Sequence, residues 1–300
     1  MGSGRFDASD WSAMASSRSY ATKRAADIYT ASKLDSSFDV KGKVRESCPS
    51  ADNPNPTPII LAMDVTGSMS AVLEELAKKA LPKLCTEIYA RRPVSDPHVC
   101  VVGMGDFDAS DRAPFQASQF EADIRIATGL EKLYLERGGG GNDYEGYAQS
   151  WYFAWKHTKT AKRGFIFTFG DELPQKTLTK ANIEEIFGDS SERDMSAGEL
   201  LDKVSTNWEV YHLIVAEGNG CSYSVDRVHA EWQKLLGQRA VILSDVTKLA
   251  EVVVSLLEVA AGRDTASVVS SWDGSTAVAV GTALKGIAAS KVTAEGMVEL

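Results

Sequence analysis

Asp64, Thr66 and Ser68 place three oxygen-bearing side chains at alternate positions of one short segment, Asp64-Val65-Thr66-Gly67-Ser68-Met69-Ser70. One carboxylate and two hydroxyls form a set of hard oxygens, the donors that Mg²⁺, Mn²⁺ or Ca²⁺ prefer and softer metals do not. The same residues also suit an Asp-Ser/Thr turn whose oxygens cap the helix that follows. Ahead of them, Pro58-Ile59-Ile60-Leu61-Ala62-Met63 is a short apolar run. It predicts a buried strand that ends on Asp64. Behind them, Leu73, Leu76, Ala80, Leu84 and Ile88 recur at helical spacing, so the oxygens sit on a strand-to-helix turn. Pro82 falls inside that helix and predicts a kink.

Further acidic residues follow along the chain. Arg163 to Phe169 predicts another buried strand, and Gly170-Asp171-Glu172 closes it. Asp171 therefore lies at the carboxyl edge, where open α/β sheets bind their ligands. Glu172 is its neighbour and an alternate donor. Gly138-Gly139-Gly140-Gly141 leads into Asn142-Asp143-Tyr144-Glu145. Such a glycine run implies a sharp turn or a close backbone approach to a ligand. No Lys-Ser/Thr pair follows it, so it is not a phosphate-binding loop. After the apolar run His98 to Gly105 come Asp106, Asp108 and Asp111, which lack the spacing and closing Glu of an EF-hand. They are expected to be solvated, with Asp106 the one that can approach a metal. His212 has no second histidine at ligand spacing and is expected to be a satisfied core residue.

Asp64-Val65-Thr66-Gly67-Ser68 resembles the Asp-x-Ser/Thr-x-Ser signature of von Willebrand factor A domains, their metal-ion-dependent adhesion site. The resemblance implies a doubly wound α/β sheet and a divalent cation, Mg²⁺ before Mn²⁺ or Ca²⁺. It further implies a second loop and a late aspartate as contributors. Asp171 stands where the late aspartate is expected. The glycine-rich stretch is similar to a variant second loop of bacterial A domains, in which Asp143, or Asn142 in its place, replaces the usual Thr. Direct ligation there and contact through water are both open. The expected metal residues are thus Asp64, Thr66, Ser68, Asp143 and Asp171, with Asn142, Asp106 and Glu172 as outer or alternate ligands. The intracellular bacterial or phage-type members are the nearest in pattern.

Strand and helix alternate from Pro58 to Gly262, which predicts a mostly parallel sheet with helices on both faces. Helices are expected over Phe120 to Glu136, Lys180 to Phe187, Ala197 to Val204, Ser224 to Leu236 and Asp245 to Ala261, the last one amphipathic. Pro114 to Gln119 is expected as an edge strand, and Trp208 to Ala216 and Ala240 to Leu243 as the last strands. Residues 1–57 form a polar arm closed by the Asp52-Asn53-Pro54-Asn55-Pro56-Thr57-Pro58 linker. Its spaced anchors, among them Trp11, Tyr20, Tyr29 and Phe38, suit either a disordered tail or an arm laid over the domain or over a partner. Residues 263–300 form a tail of small residues with Trp272 as its large anchor.

Hydrophobic content of 44% and charged content of 24% in 300 residues fit a globular core. A net charge of −9 argues against nucleic-acid partners, which need clustered Lys and Arg. No apolar run reaches the roughly 20 residues of a membrane span, and the N-terminus lacks the apolar core of a signal peptide. The four cysteines show no metal spacing and point to a reducing, cytoplasmic or virion-associated setting. A phosphatase of the haloacid-dehalogenase type needs a second Asp two residues after the first, where this chain has Thr66. No Ser-His-Asp or Cys-His set can be assembled, so a non-enzymatic role is expected. The expected function is metal-dependent recognition of a protein partner through its Asp or Glu carboxylate. The alternative is an assembly role, as homo-oligomer or within a phage particle or multiprotein complex, built on the two extensions. An adaptor to an AAA+ ATPase is a further alternative, on which no residue bears directly.

Overall fold

The protein is described from a computed structural model, which covers residues 2–108, 111–136, 143–217 and 224–288 together with the backbone of 291–292 and 298–299. Six strands build the central sheet: β1 (Thr57–Asp64), β2 (Pro97–Met104), β3 (Phe115–Ala117), β4 (Gly164–Gly170), β5 (Trp208–Val215) and β6 (Ala240–Leu243). Their spatial order is β6-β5-β4-β1-β2-β3. All neighbours are parallel except β2 and β3, the antiparallel edge. This is a doubly wound α/β fold, and its order reverses between β1 and β4. Parallel strands joined by crossovers must be buried on both faces, and β1 shows the result. Ile59, Leu61 and Met63 enter one core while Ile60 and Ala62 enter the other.

The main helices are α1 (Ala8–Ser17), α2 (Ser70–Glu75), α3 (Leu81–Arg91), α4 (Arg125–Glu131), α5 (Tyr147–Lys156), α6 (Ala197–Ser205), α7 (Val225–Leu236), α8 (Leu249–Ala260), α9 (Thr265–Ser270) and α10 (Gly274–Ala283). Residues of α2, α3 and α8 fill the first core; those of α5, α6 and α7 fill the second. Between α2 and α3 the chain makes one π-helical turn, Leu76–Ala80. Pro82 explains it. Its ring cannot donate to the carbonyl of Lys78 and crowds it, and widening the turn relieves both problems.

Both extensions pack onto the domain. Trp11, Tyr20, Ile28, Tyr29 and Phe38 of the arm are buried in the first core. The Tyr29 hydroxyl donates to the Leu73 carbonyl at 2.8 Å. Arg45 donates to the carbonyls of Ser37, Asp39 and Ala117, and Arg45–Ser47 pairs in parallel with Thr158–Thr160. At the other end, α9 and α10 lie against α8, and the Trp272 indole donates to Ser255 at 2.8 Å. As a result α8 is buried on every side, where an amphipathic helix was expected. Its polar face is covered by the tail, and Glu251 and Glu258 are paired with Lys83 and Arg91.

Two further expectations change. The helix over Phe120 to Glu136 shortens to α4, because Glu121 pairs across to Val99 and Asp123 caps the Arg125 amide at 3.0 Å. The acidic loop after β2 is only partly solvated. Asp111 turns inward to accept the Asp106 amide at 2.8 Å, and Asp106 is buried. Among the described residues, no helix is long and apolar enough to cross a membrane.

Candidate metal centre

Asp64 ends β1 fully buried, and its first oxygen, Oδ1, stops the strand. That oxygen accepts from the Thr66 amide at 2.7 Å and the Thr66 hydroxyl at 2.6 Å. This local bonding turns the backbone into the short 3₁₀ turn Gly67–Met69 that starts α2. From there a line of oxygens crosses to β4. Thr66 Oγ1 lies 3.4 Å from Ser68 Oγ, and Ser68 Oγ lies 3.4 Å from Asp171 Oδ1. Asp64, Thr66, Ser68 and Asp171 thus meet between the carboxyl ends of β1 and β4. That is the topological switch point of the sheet, the crevice where this architecture binds ligands. Ser68 is half-buried and Gly67 exposed, so the group opens to solvent on that side.

The charge around Asp64 is one-sided. Burial pushes its carboxyl up to about 7, against the two Thr66 hydrogen bonds that lower it, and the negative charges of Asp171 and Glu172 raise it further. Its Oδ2 is buried and has no hydrogen-bond partner. Glu145 is in the same position. Burial first, then the charges of Asp64, Asp106, Asp111 and Glu172, push it up to about 10, and its Oε2 is also buried without a partner. Among the described residues, no cation is among the groups that shift either carboxyl. Glu145 was not among the residues expected from the sequence. Its only mark there is its place directly before Gly146 and the aromatic helix α5, where the loop must turn back under the sheet edge.

Close backbone approaches hold these acids together. A β-carbon on Gly146 would stand 2.5 Å from the Gly105 carbonyl and from the Gln149 amide. One on Gly170, beside Asp171, would collide with the buried Tyr147 hydroxyl. Tyr147 in turn packs edge-on against His212 and Trp232, so it has no room to withdraw. Gly170→Ala is expected to cost about 2 kcal/mol or more of stability. Tyr147→Phe, which removes the colliding oxygen, should recover part of that loss. Urea unfolding of both single variants and the double variant measures the coupling; additive effects would show that the two residues do not meet.

The other expected residues distribute as follows. Glu172 is half-buried beside the site; its carbonyl accepts from the Trp232 indole at 3.0 Å while its charge acts on Asp64. Asp106 lies on the Glu145 side, where its Oδ1 accepts the Asp108 amide at 2.8 Å. Asp143 enters through its backbone, with its carbonyl accepting from the Leu173 amide at 3.2 Å. Asp143 and Asp108 are among the residues that line a neighbouring cleft. Asn142 and the four glycines before it lie outside the described residues. Among the described residues no three His, Cys, Asp or Glu side chains are grouped to enclose a metal. A set of two carboxylates and two hydroxyls needs no such group. The unsatisfied buried Oδ2 of Asp64 and the hard-oxygen donor set fit a divalent cation. His212 is a core residue, as expected, but only half satisfied: its Nδ1 shares a 2.8 Å hydrogen bond with Thr168 and its ring stacks on Trp232 at 3.6 Å, while its Nε2 is buried without a partner and burial holds its pKa well below the ordinary value.

No family model matches this sequence, and no curated protein matches it. Some solved structures are similar to part of this chain. The pilus adhesin SpaC from Lactobacillus rhamnosus GG, in its open conformation, is 12% identical with a TM-score of 0.48, over 73% of this chain and 31% of that one. A von Willebrand factor type A protein from Catenulispora acidiphila is 13% identical with a TM-score of 0.38, over 70% of this chain and 44% of that one. The adhesive tip pilin GBS104 from Streptococcus agalactiae is 10% identical with a TM-score of 0.37, over 65% of this chain and 97% of that one. The chain spans under a third of the length of the SpaC adhesin. Overlaps of this size add nothing to the strand order already described.

Proposed function

We propose that this chain is a divalent-cation-dependent protein-recognition module rather than an enzyme, and that it engages an Asp or Glu carboxylate of its partner. The reading rests on one observation above the others: Asp64 Oδ2 is buried and unpartnered at the switch point of the sheet, and the charges that act on this carboxyl among the described residues are negative. Asp64 and Asp171 would supply the charge that holds a cation, Mg²⁺ first, and Thr66 and Ser68 neutral oxygens. A cation held by few anionic ligands supplies electrophilic pull on a further carboxylate, within a shell of roughly six oxygens. The chain's own residues do the positioning. Two hydrogen bonds from Thr66 fix the Asp64 carboxylate, and Gly170 lets Asp171 approach over Tyr147.

Other features support the same reading. The large anchors of both extensions are buried within the chain itself, Trp272 partly so, which favours recognition at the sheet edge over an assembly role for those segments. Cys48, Cys85 and Cys100 are free thiols, which supports a reducing setting, cytoplasmic or within a virion. Crosslinking of the full chain in a cell extract, with Mg²⁺ and with EDTA, is the test. Partners captured only with Mg²⁺ are expected. An identical set captured in EDTA would sink the cation-dependent reading.

A further inference from the structure

Asp64 and Thr66 are fixed by their own short hydrogen bonds, and Asp171 by the strand it follows and by the close fit of Gly170 against Tyr147. Ser68 is held differently. Among the described residues its hydroxyl has two contacts, each 3.4 Å long, at the far end of the range for such a bond. Its place is therefore set by the backbone, the 3₁₀ turn Gly67–Met69 that runs directly into α2. Helix α2 is itself weakly determined. It has six residues, starts from that turn and passes into the π-helical turn Leu76–Ala80. A helix so short takes its stability from what packs on it.

The N-terminal arm supplies that support. The buried Tyr29 hydroxyl donates to the Leu73 carbonyl of α2 at 2.8 Å. The Ala25 amide, at the start of the short helix Ala25–Ile28, donates to Glu74 Oε2 at 2.9 Å. Ile28 and Tyr29 share the first core with Met69, Val72 and Leu73. Just before this stretch, a groove of about 740 Å³ is lined both by the arm, at Ser16, Ser19 and Thr22, and by α2, at Ala71 and Glu74. The arm stands off from α2 there and meets it through Ala25 to Tyr29. Arg18 and Tyr20 anchor the arm elsewhere, both on Glu131 of α4.

We infer that Tyr29 is a positioning residue for the cation centre: through the Leu73 carbonyl it fixes α2, and through α2 the place of Ser68. The inference rests on the cation site of the reading given above. Tyr29 touches no ligand itself. It holds the helix whose first turn carries the one oxygen donor that has no short hydrogen bond of its own. A coupling of this kind is reciprocal, so bound Mg²⁺ must tighten the arm as much as the arm tightens the site.

The test uses the full chain with Mg²⁺ as the probe, followed by acetate in the presence of Mg²⁺. Tyr29→Phe keeps the buried ring and removes only the hydroxyl. It is expected to bind Mg²⁺ about fivefold more weakly than wild type by calorimetry, the lower end of a typical coupling between sites. Phe38→Leu is the control. It loosens the arm where the Phe38 carbonyl accepts from the Ala117 amide of β3, and should lower the unfolding temperature with Mg²⁺ affinity unchanged. In the wild type, saturating Mg²⁺ should slow amide exchange at Ala25 and Tyr29. Mg²⁺ affinity of Tyr29→Phe within about twofold of wild type, an equal loss in Phe38→Leu, or exchange at Ala25 and Tyr29 indifferent to Mg²⁺ would each overturn the positioning role and leave the arm as packing alone. A wild type that binds Mg²⁺ but then no acetate contradicts the recognition reading and leaves the role of Tyr29 standing. A wild type that does not bind Mg²⁺ contradicts both.

Discussion

Asp64→Asn is expected to weaken Mg²⁺ binding by more than about 100-fold and, without the cation, to make the protein more stable than wild type. The two outcomes have one cause. Asparagine keeps an oxygen for the Thr66 amide and hydroxyl but carries no charge into a site already occupied by Asp171 and Glu172. At neutral pH in EDTA the gain should be on the order of 1–3 kcal/mol. The pH dependence follows from the same shift. An unfolded Asp64 titrates near 3.8, whereas burial holds the folded one at about 7. Between those values the folded chain binds the extra proton, so its stability is highest below the window and falls as pH rises through it. Thermal unfolding of the wild type in EDTA should show this decline, Asp64→Asn should lack Asp64's contribution to it, and Mg²⁺ should remove it at the upper end. Mg²⁺ titrations by calorimetry check the binding half. An asparagine variant that still binds at wild-type affinity would rule Asp64 out as a ligand.

The sheet was readable because its signals are local. Apolar runs such as Ile59 to Met63 and Phe165 to Phe169 can only be strands buried on both faces, and Ala240 to Leu243 matches its expected bounds. Asp64 and Asp171 were legible for the same reason, since each directly follows such a run. What escaped depends on contacts distant in sequence. Glu145 reads like any loop acid; only the Tyr144–Glu145 ribbon with Leu173–Pro174 shows it turned inward. Asp143 bears the family-like spacing, and its backbone carbonyl makes the ribbon bond to Leu173. Asp106 was left between solvent and the outer shell of a metal, because a pattern of acids cannot show that Asp111 folds back to cap its amide. The arm was left between a disordered tail and a segment laid over the domain or a partner, and the burial of Trp11, Tyr20 and Tyr29 decides for the domain. In the same way, the polar residues of α8 suggested an exposed face, because their partners come from elements far away in the chain.

The largest effect on stability is expected at one of those residues. Glu258 is fully buried on α8, and Arg91 of α3 grips it with two bonds, Nε to Oε1 and Nη2 to Oε2, each at 3.0 Å. Arg263 adds a further contact to Oε1. The Arg91 guanidinium also lies 4.0 Å from the centre of the Trp272 ring and bonds Ser271. One ion pair therefore ties together α3, α8 and the C-terminal tail. Glu258→Ala strips a mostly buried guanidinium of its counter-charge and is expected to cost about 3–5 kcal/mol, the range for breaking a buried pair from one side. Replacing both partners with apolar residues, Arg91→Met with Glu258→Leu, should restore much of that loss, because the desolvation penalty disappears along with the attraction. The tail gives an independent readout. If Arg91 anchors it through Trp272, amide exchange over Thr265 to Ala283 should speed up in Glu258→Ala before global unfolding. Urea unfolding of Glu258→Ala within about 1 kcal/mol of wild type, a typical value for an exposed pair, would show that α8 is held by its apolar contacts alone.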